Sequence, residues 1–175
     1  MEKVLRIASY IIDRYKKQFG EMIDEIKLQK LLYFTQLEAI VRTGEPMFDA
    51  EFHAWKLGPV VIEIHERFKT LDFDETLSEE SELRWKGCFD YIFEHYAPKK
   101  SMSLVWHSHC QRSWKRAREG IDIYERSDVP MRLTDIYEDA EDTKRWRNSL
   151  PLRRKVHLFF DQHPEIYRIP VIHSL

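Results

Sequence analysis

Glycine and cysteine are both scarce in this chain of 175 residues, which contains five glycines and two cysteines. No window contains the G-x-G-x-x-G or G-x-x-x-x-G-K arrangement whose backbone amides bind phosphates, which argues against a glycine-rich nucleotide-binding fold. Cys88 and Cys110 are too few for a disulfide framework and are typical of a reducing compartment.

Long hydrophobic runs and a strong net charge are also missing. Charged residues interrupt residues 1–18 every few positions, which argues against a signal peptide, and no later apolar run approaches membrane-spanning length. The formal net charge is -2, so the chain as a whole has no bulk attraction to nucleic acid or to acidic membranes. These absences predict a cytoplasmic protein without a membrane partner.

The sequence does contain enough apolar material for one hydrophobic core. Hydrophobic residues make up 43% of the chain and aromatic residues 13%, while 33% charged residues suit a water-exposed surface. Apolar residues recur at three- and four-residue steps along much of the chain, which is the spacing of one helix face. The pattern predicts a mainly α fold: a single helical domain of about six to seven helices with a minor short-strand element.

The most apolar helix is predicted at the centre of this fold. Residues 28–41 carry apolar side chains in two stripes, which indicates a helix that is covered on more than one side. Asp24 is its candidate N-cap, since a carboxylate accepts hydrogen bonds from the unpaired amides of a first turn. Gly20 ends the helix before it, and Gly44 ends the central helix.

The segment after the central helix is predicted to contain the strand. Residues 52–57 alternate between apolar and polar and are too few for a helix. Gly58 and Pro59 then open the third helix, because a proline at the first helical position loses no hydrogen bond. Thr76 or Ser78 caps the fourth helix.

The second half of the chain is predicted to contain three helical regions and two extended ones. In chain order these are a fifth helical region from Ser101 or Ser103 to Gly120, a stretch at 121–124 that is compatible with an extended backbone, an acidic helix at 132–142, a last helix from Pro151 and an extended strand at 165–175.

The run from Trp55 to Pro59 has two interpretations. If Gly58 and Pro59 open a helix, Lys56 lies beside its N-terminus, where unpaired amides favour an anion or an acidic partner residue. The alternative is a structural turn with a buried tryptophan, which Gly-Pro indicates more often. Aromatic residues at positions 33, 96, 106 and 114 are in the same way either exposed anchors of a protein interface or core.

A metal site is not predicted at His107, His109 and Cys110. Residues two apart on a helix point in nearly opposite directions, so the two histidines could share an ion only on an extended or kinked backbone. We therefore expect no metal and no other cofactor.

Basic segments with interleaved tryptophans occur at residues 115–118, 144–147 and 152–155, beside Trp114 and Trp146. Such a mixture binds phosphates and stacks on bases, which makes a nucleic-acid-binding regulator the alternative function. A pI near 6.5 and the acidic residues nearby oppose that interpretation. A basic strip that attracts an acidic protein partner is the preferred use of these charges.

Several motifs, in a fixed order, resemble one known family. They are KLQKLLYF at 27–34, GEPMF at 44–48, AWKLGPVVIEIHERFK at 54–69, and a leucine, a histidine and a W-x-x-A-R pattern at Leu104, His107, Trp114, Ala117 and Arg118. Together they resemble the SocA-like or Panacea antitoxin domain, once labelled a phage-associated protein family, over about residues 4 to 120. Ser113 departs from the pattern, because the family usually has proline before the tryptophan.

The resemblance implies a mostly helical, non-enzymatic protein of a bacterial or prophage toxin–antitoxin system. Such a protein binds its toxin directly and neutralises it, and at least one member of the family also delivers its toxin to a AAA+ protease. Residues 1–125 would form the antitoxin domain, and residues 126–175 a helical extension packed on it. The partner-binding residues expected on this basis are Trp55, Lys56, Gly58, Pro59, His107, Trp114 and Arg118.

Overall fold

Helices dominate the computed structural model, which describes the backbone of residues 1–162 and the side chains of residues 1–149. In chain order the elements are β1 (Glu2–Lys3), α1 (Val4–Phe19), α2 (Glu25–Thr43), β2 (Phe48–Asp49), β3 (His53–Trp55), β4 (Gly58–Val60), α3 (Ile62–Thr70), α4 (Glu79–His95), α5 (Ser101–His109), α6 (Arg112–Ala117) and α7 (Leu133–Gln162). The mainly α fold with minor strands is confirmed.

The backbone forms two compact units, residues 1–141 and a second unit that begins at Asp142. The division of the chain at residues 125 and 126 stays a prediction. Within residues 1–162, no helix combines the length and the apolar composition needed to cross a membrane.

Helix α2 forms the centre of the first unit, as its two apolar stripes predict. It packs against α1, α4 and α5, and Leu28, Leu31 and Leu32 on it are completely buried. Each fully buried leucine contributes about 1.5–3 kcal/mol, so α2 is a main source of stability. Its N-cap is also confirmed, because the Asp24 side chain accepts a hydrogen bond from the Lys27 amide at 2.9 Å.

Strands β3 and β4 form an antiparallel hairpin in which Trp55 pairs with Gly58 and Ala54 with Pro59. The predicted strand is thus confirmed in part, but the helix predicted to start at Gly58 and Pro59 is wrong, because α3 begins at Ile62. The φ angle that proline fixes is compatible with an edge strand as well as with a first helical turn, and here pairing with β3 decides between them.

The other edge of β3 is covered by residues 129–131. The Ala54 amide donates to the Val129 carbonyl at 2.8 Å, and the Met131 amide donates to the Phe52 carbonyl at 2.7 Å. Strand β3 therefore has backbone hydrogen bonds along both of its edges. A separate short pair, β1 with β2, is parallel and joins the start of the chain to the segment after α2.

Two helix predictions in the second half are wrong in their boundaries. The fifth helical region is two helices, α5 and α6, separated at Cys110 and Gln111. Helix α7 continues through Pro151, where a new helix was predicted. A proline removes only one intrahelical donor, and the helix-forming lysine, arginine and leucine residues around it favour continuation.

The remaining predictions have mixed outcomes. Ser78 is confirmed as the N-cap of α4, since its side chain accepts from the Ser81 amide at 3.2 Å. Residues 121–124 form a turn, in which the Tyr124 amide donates to the Asp122 carboxylate. The strand predicted at 165–175 lies outside the described residues.

Candidate functional site

The β3–β4 hairpin lies directly on a buried lysine of α2. Lys30 is 1% exposed, and its Nζ donates to the Pro59 carbonyl oxygen at 2.8 Å. Gly58 has a φ of +94°, and a Cβ added there would lie 2.4 Å from Ser108 Oγ and 2.6 Å from Lys30 Cε. Only glycine therefore allows β4 to contact both α2 and α5 this closely.

Gln29, the neighbour of Lys30, fixes the end of the same strand. Its Nε2 donates to the Val61 carbonyl at 3.1 Å, and its Oε1 accepts from the Val61 amide at 2.9 Å. Both hydrogen bonds are buried, so they keep their strength and satisfy backbone groups that water cannot reach. Two consecutive side chains of α2 thus hold β4 in place.

Side chains of α6 and of the residue after it donate hydrogen bonds to the backbone of β3. Trp114 is 5% exposed and donates from its indole Nε1 to the Trp55 carbonyl at 3.0 Å. Arg118, which follows α6, is 4% exposed and donates to the Ala54 carbonyl at 3.1 Å. The W-x-x-A-R pattern therefore places its tryptophan and its arginine against the backbone of β3.

The Arg118 guanidinium also holds the turn after α6. It donates to the carbonyls of Asp122 and Glu125 at 2.6 and 2.8 Å and lies 5.2 Å from the centre of the Trp114 ring. An arginine can make these three carbonyl contacts because its donors form a fixed planar fork. Arg118 is thus an internal structural cation, which leaves its positive charge unavailable to solvent.

A row of three rings leads from this core to the surface. His109 stacks on Trp114 with ring centres 3.8 Å apart, and its other neighbour is Trp106 at 6.0 Å. Burial, followed by the charge of nearby Lys30, lowers the pKa of His109, so the neutral imidazole is favoured in the stack. Trp106 at the outer end is 62% exposed.

His107 lies elsewhere. Its ring is beside Tyr96, with 6.3 Å between ring centres, and its Nδ1 is 2.6 Å from the Ser103 carbonyl oxygen. His107 and His109 thus point to different surroundings. Among the residues that the structure describes, no group of three or more histidine, cysteine, aspartate or glutamate side chains is arranged to hold a metal ion.

A cavity of about 720 Å³ opens beside the hairpin. Its apolar wall includes Trp55 and Val60, and its polar wall includes Lys30, His65 and Asp128. The Trp55 indole donates to Asp128 Oδ1 at 3.0 Å, and the ring meets His65 edge-on at 4.9 Å. Burial lowers the pKa of Lys30 to about 7, against the opposing effect of the Glu25 charge.

The expected site residues fall into different positions around this cavity. Trp55 and Lys56 line it, while Gly58 and Pro59 lie in β4 against Lys30. Lys56 does not lie at a helix N-terminus, so that part of the anion-site hypothesis is wrong, for the reason that α3 begins at Ile62.

Most cavity residues escaped the sequence prediction, among them Glu25, Lys30, His65, Arg126 and Asp128. Only Lys30 had a signal in the sequence, as a charged residue between the apolar stripes of the central helix. The aromatic candidates are also separated by the structure. Trp106 is exposed, whereas Tyr33 and Trp114 belong to the core.

The deciding comparison is with protein families. The family model of the antitoxin SocA-like, Panacea domain matches residues 28–115, just over half of the chain. The chain belongs to the SocA-like, Panacea antitoxin family. No curated protein and no solved structure matches it. The matched range of this Panacea protein contains most of α2, the hairpin and α3, which form one part of the cavity lining. Residues 126–128, which form another part, lie outside the matched range.

Some of the basic side chains of this Panacea protein already form salt bridges or hydrogen bonds within the protein. In residues 115–118, Arg116 pairs with Asp135 at 2.6 Å and with Glu138 at 2.8 Å, and Arg118 faces the hairpin backbone. These contacts reduce the charge that the segment offers to a phosphate backbone. In the second unit, Trp146 is half exposed on α7.

Proposed function

We propose that this Panacea protein is a non-catalytic antitoxin that acts in the cytoplasm and neutralises a partner toxin by binding it directly. Family membership supports the antitoxin role. The observation that supports direct binding is a set of aromatic and apolar side chains on the tip of a rigidly held hairpin, on α5 and on the turn after α6. We call this surface the hairpin face and define it by Trp55, Lys56, Leu57, Trp106 and Tyr124.

Four of the five members of the hairpin face are exposed and Trp55 is partly buried, while the backbone beneath them is fixed. Leu57 and Tyr124 are exposed, and the Lys56 ammonium lies 5.6 Å from the centre of the Tyr124 ring. Large exposed aromatic side chains on a rigid support are typical of the residues that dominate protein interfaces, because they bury much area at little entropic cost. The hairpin face is thus suited to a protein partner.

The supporting contacts explain the family motifs under this proposal. Gly58, Trp114 and Arg118 do not reach the partner. Together with Lys30 they fix the hairpin so that Trp55 and its neighbours are presented in one conformation. Such preorganisation lowers the entropic cost of binding. Of the expected partner-binding residues, we retain Trp55 and Lys56 for direct contact.

The experiment is coexpression with the protein encoded beside this chain. We expect that neighbour to inhibit growth alone, to be neutralised by the antitoxin and to copurify with it. Trp106→Glu should abolish both effects, whereas Leu83→Glu, which changes an exposed leucine on α4, should abolish neither. A neighbour without toxicity would contradict the antitoxin role, and full neutralisation by a folded Trp106→Glu variant would contradict the hairpin face.

Delivery of the toxin to a AAA+ protease is a second step that we propose from the family resemblance. Its signature is a toxin half-life that shortens when the antitoxin is present and lengthens again when the protease gene is deleted. Neutralisation with an unchanged half-life would show that binding alone suffices.

A further inference from the structure

The cavity beside the hairpin has a charge pattern that the antitoxin itself does not balance. It lies next to the hairpin face and shares Trp55, Lys56 and Leu57 with it. At about 720 Å³ it is as large as typical ligand sites and much larger than one amino-acid side chain needs. An inserted group of the partner would therefore reach its buried wall.

Both carboxylates of the cavity already have partners. Glu25 Oε1 lies 2.5 Å from His65 Nδ1, and Asp128 accepts from the Trp55 indole at 3.0 Å. Asp128 Oδ1 is also 3.0 Å from His53 Nδ1. The negative charges are thus engaged in holding Trp55 and α3, and they are poorly placed to receive a cationic ligand.

The two lysines and the arginine of the cavity differ from the carboxylates. Lys30 donates to a neutral carbonyl, that of Pro59, and Lys56 lies over the Tyr124 ring. Arg126 lines the cavity and is exposed. Within the described part of the chain, none of these three side chains forms a salt bridge with a carboxylate.

A buried amine without a counter-ion is costly to protonate, and an incoming anion removes part of that cost. A carboxylate accepts hydrogen bonds from an ammonium and from a guanidinium, and such charge-assisted bonds are about twice as strong as neutral ones. The low pKa of Lys30 agrees with this, because the charge of Glu25 only partly offsets the effect of burial.

We propose that the cavity is a carboxylate-binding site for an aspartate or glutamate side chain of the toxin, with Lys30 on its buried wall and Lys56 and Arg126 at its mouth. The partner is thus expected to present an acidic residue next to the apolar patch that covers Trp106. This inference rests on the proposed antitoxin function, from which it takes the partner.

The first experimental arm does not need the toxin. The isotope-labelled full chain is titrated with sodium glutarate, and with sodium chloride at equal ionic strength, while NMR follows the lysine and arginine side chains. We expect saturable shifts at Lys30, Lys56 and Arg126 with glutarate only, and their loss in the double variant Lys56→Gln/Arg126→Gln. Equal responses to both salts would overturn the carboxylate site.

The second arm uses the toxin. We expect Lys56→Gln/Arg126→Gln to weaken toxin binding about tenfold and to reduce its dependence on salt, since rim charges steer association and partner choice. Lys17→Gln, which removes an exposed charge on α1, should leave binding unchanged.

The two arms separate the two claims. In one outcome glutarate binds the parent, but the double variant binds the toxin as tightly as the parent does. That outcome would refute binding of a toxin carboxylate in the cavity and would assign the cavity to a free small carboxylate. If the parent binds no toxin at all, the proposed function fails, and the glutarate titration still decides whether the cavity holds a carboxylate.

Discussion

Replacing Lys30 by methionine should make the stability of this antitoxin less dependent on pH. The side chain lies on the central helix, is completely surrounded and has a pKa of about 7, compared with 10.5 for an ordinary lysine. The difference between these two pKa values means that the folded protein favours the neutral amine by about 5 kcal/mol. Methionine keeps the shape and removes the titrating group.

The direction of the effect follows from proton binding. Between pH 7 and pH 10.5 the unfolded chain keeps the proton on Lys30 that the folded protein has released, so the free energy of unfolding rises with pH. From pH 6.5 to pH 9 this contribution amounts to about 2–3 kcal/mol. Burial also raises the pKa of Cys88 to about 11. The folded protein then keeps a proton that the unfolded chain releases at high pH, which lowers stability there, so the measurements should end near pH 9.

Urea denaturation at constant ionic strength measures this effect. The stability advantage of Lys30→Met over the parent should be greatest at pH 6.5 and should shrink by about 2–3 kcal/mol at pH 9, where the parent has lost about half of its penalty. Lys17→Met, on the exposed side of α1, controls for the loss of one charge. Parallel pH profiles for Lys30→Met and the parent would refute the assignment of a buried, mostly neutral amine.

Three further substitutions test the support of the hairpin by thermal or urea denaturation. Gly58→Ala should lower the free energy of unfolding by about 3 kcal/mol, because a Cβ at this left-handed φ would also meet two close side-chain atoms. Gly20→Ala, at a left-handed φ in open space, should lower it by about 1 kcal/mol. Equal losses would contradict the close packing at Gly58. Arg118→Lys should cost about 2 kcal/mol, because an ammonium cannot reach all three carbonyls, and a neutral result would contradict that geometry. Ser78→Ala should cost about 1 kcal/mol through loss of the α4 cap, without affecting toxin binding.

Local signals in the sequence predicted the helices well. The cap at Asp24, the end of α1 at Gly20 and the cap at Ser78 were all predictable, because each depends on side-chain and backbone chemistry within a few residues. The central position of α2 followed from its two apolar stripes, which no single partner could cover.

The boundaries that failed depend on distant parts of the chain. Gly58 and Pro59 are a sound helix start by local rules, but their conformation is decided by pairing with β3 and by Lys30, 28 and 29 positions earlier. Asp128 reaches Trp55 from 73 positions away. A cavity assembled from such separations has no local pattern, so Asp128 and His65 could not be assigned to it from the sequence.

Neutralisation by binding is tested most directly by two measurements on the same variants. Isothermal titration calorimetry measures the binding of the purified antitoxin to the toxin encoded beside it, and growth rescue measures neutralisation. We expect the parent and Leu83→Glu to bind and to rescue growth, and a folded Trp106→Glu variant to do neither, because Trp106 is the exposed end of the ring row that starts in the core. Rescue of growth without measurable binding, or unchanged binding by Trp106→Glu, would contradict neutralisation through the hairpin face.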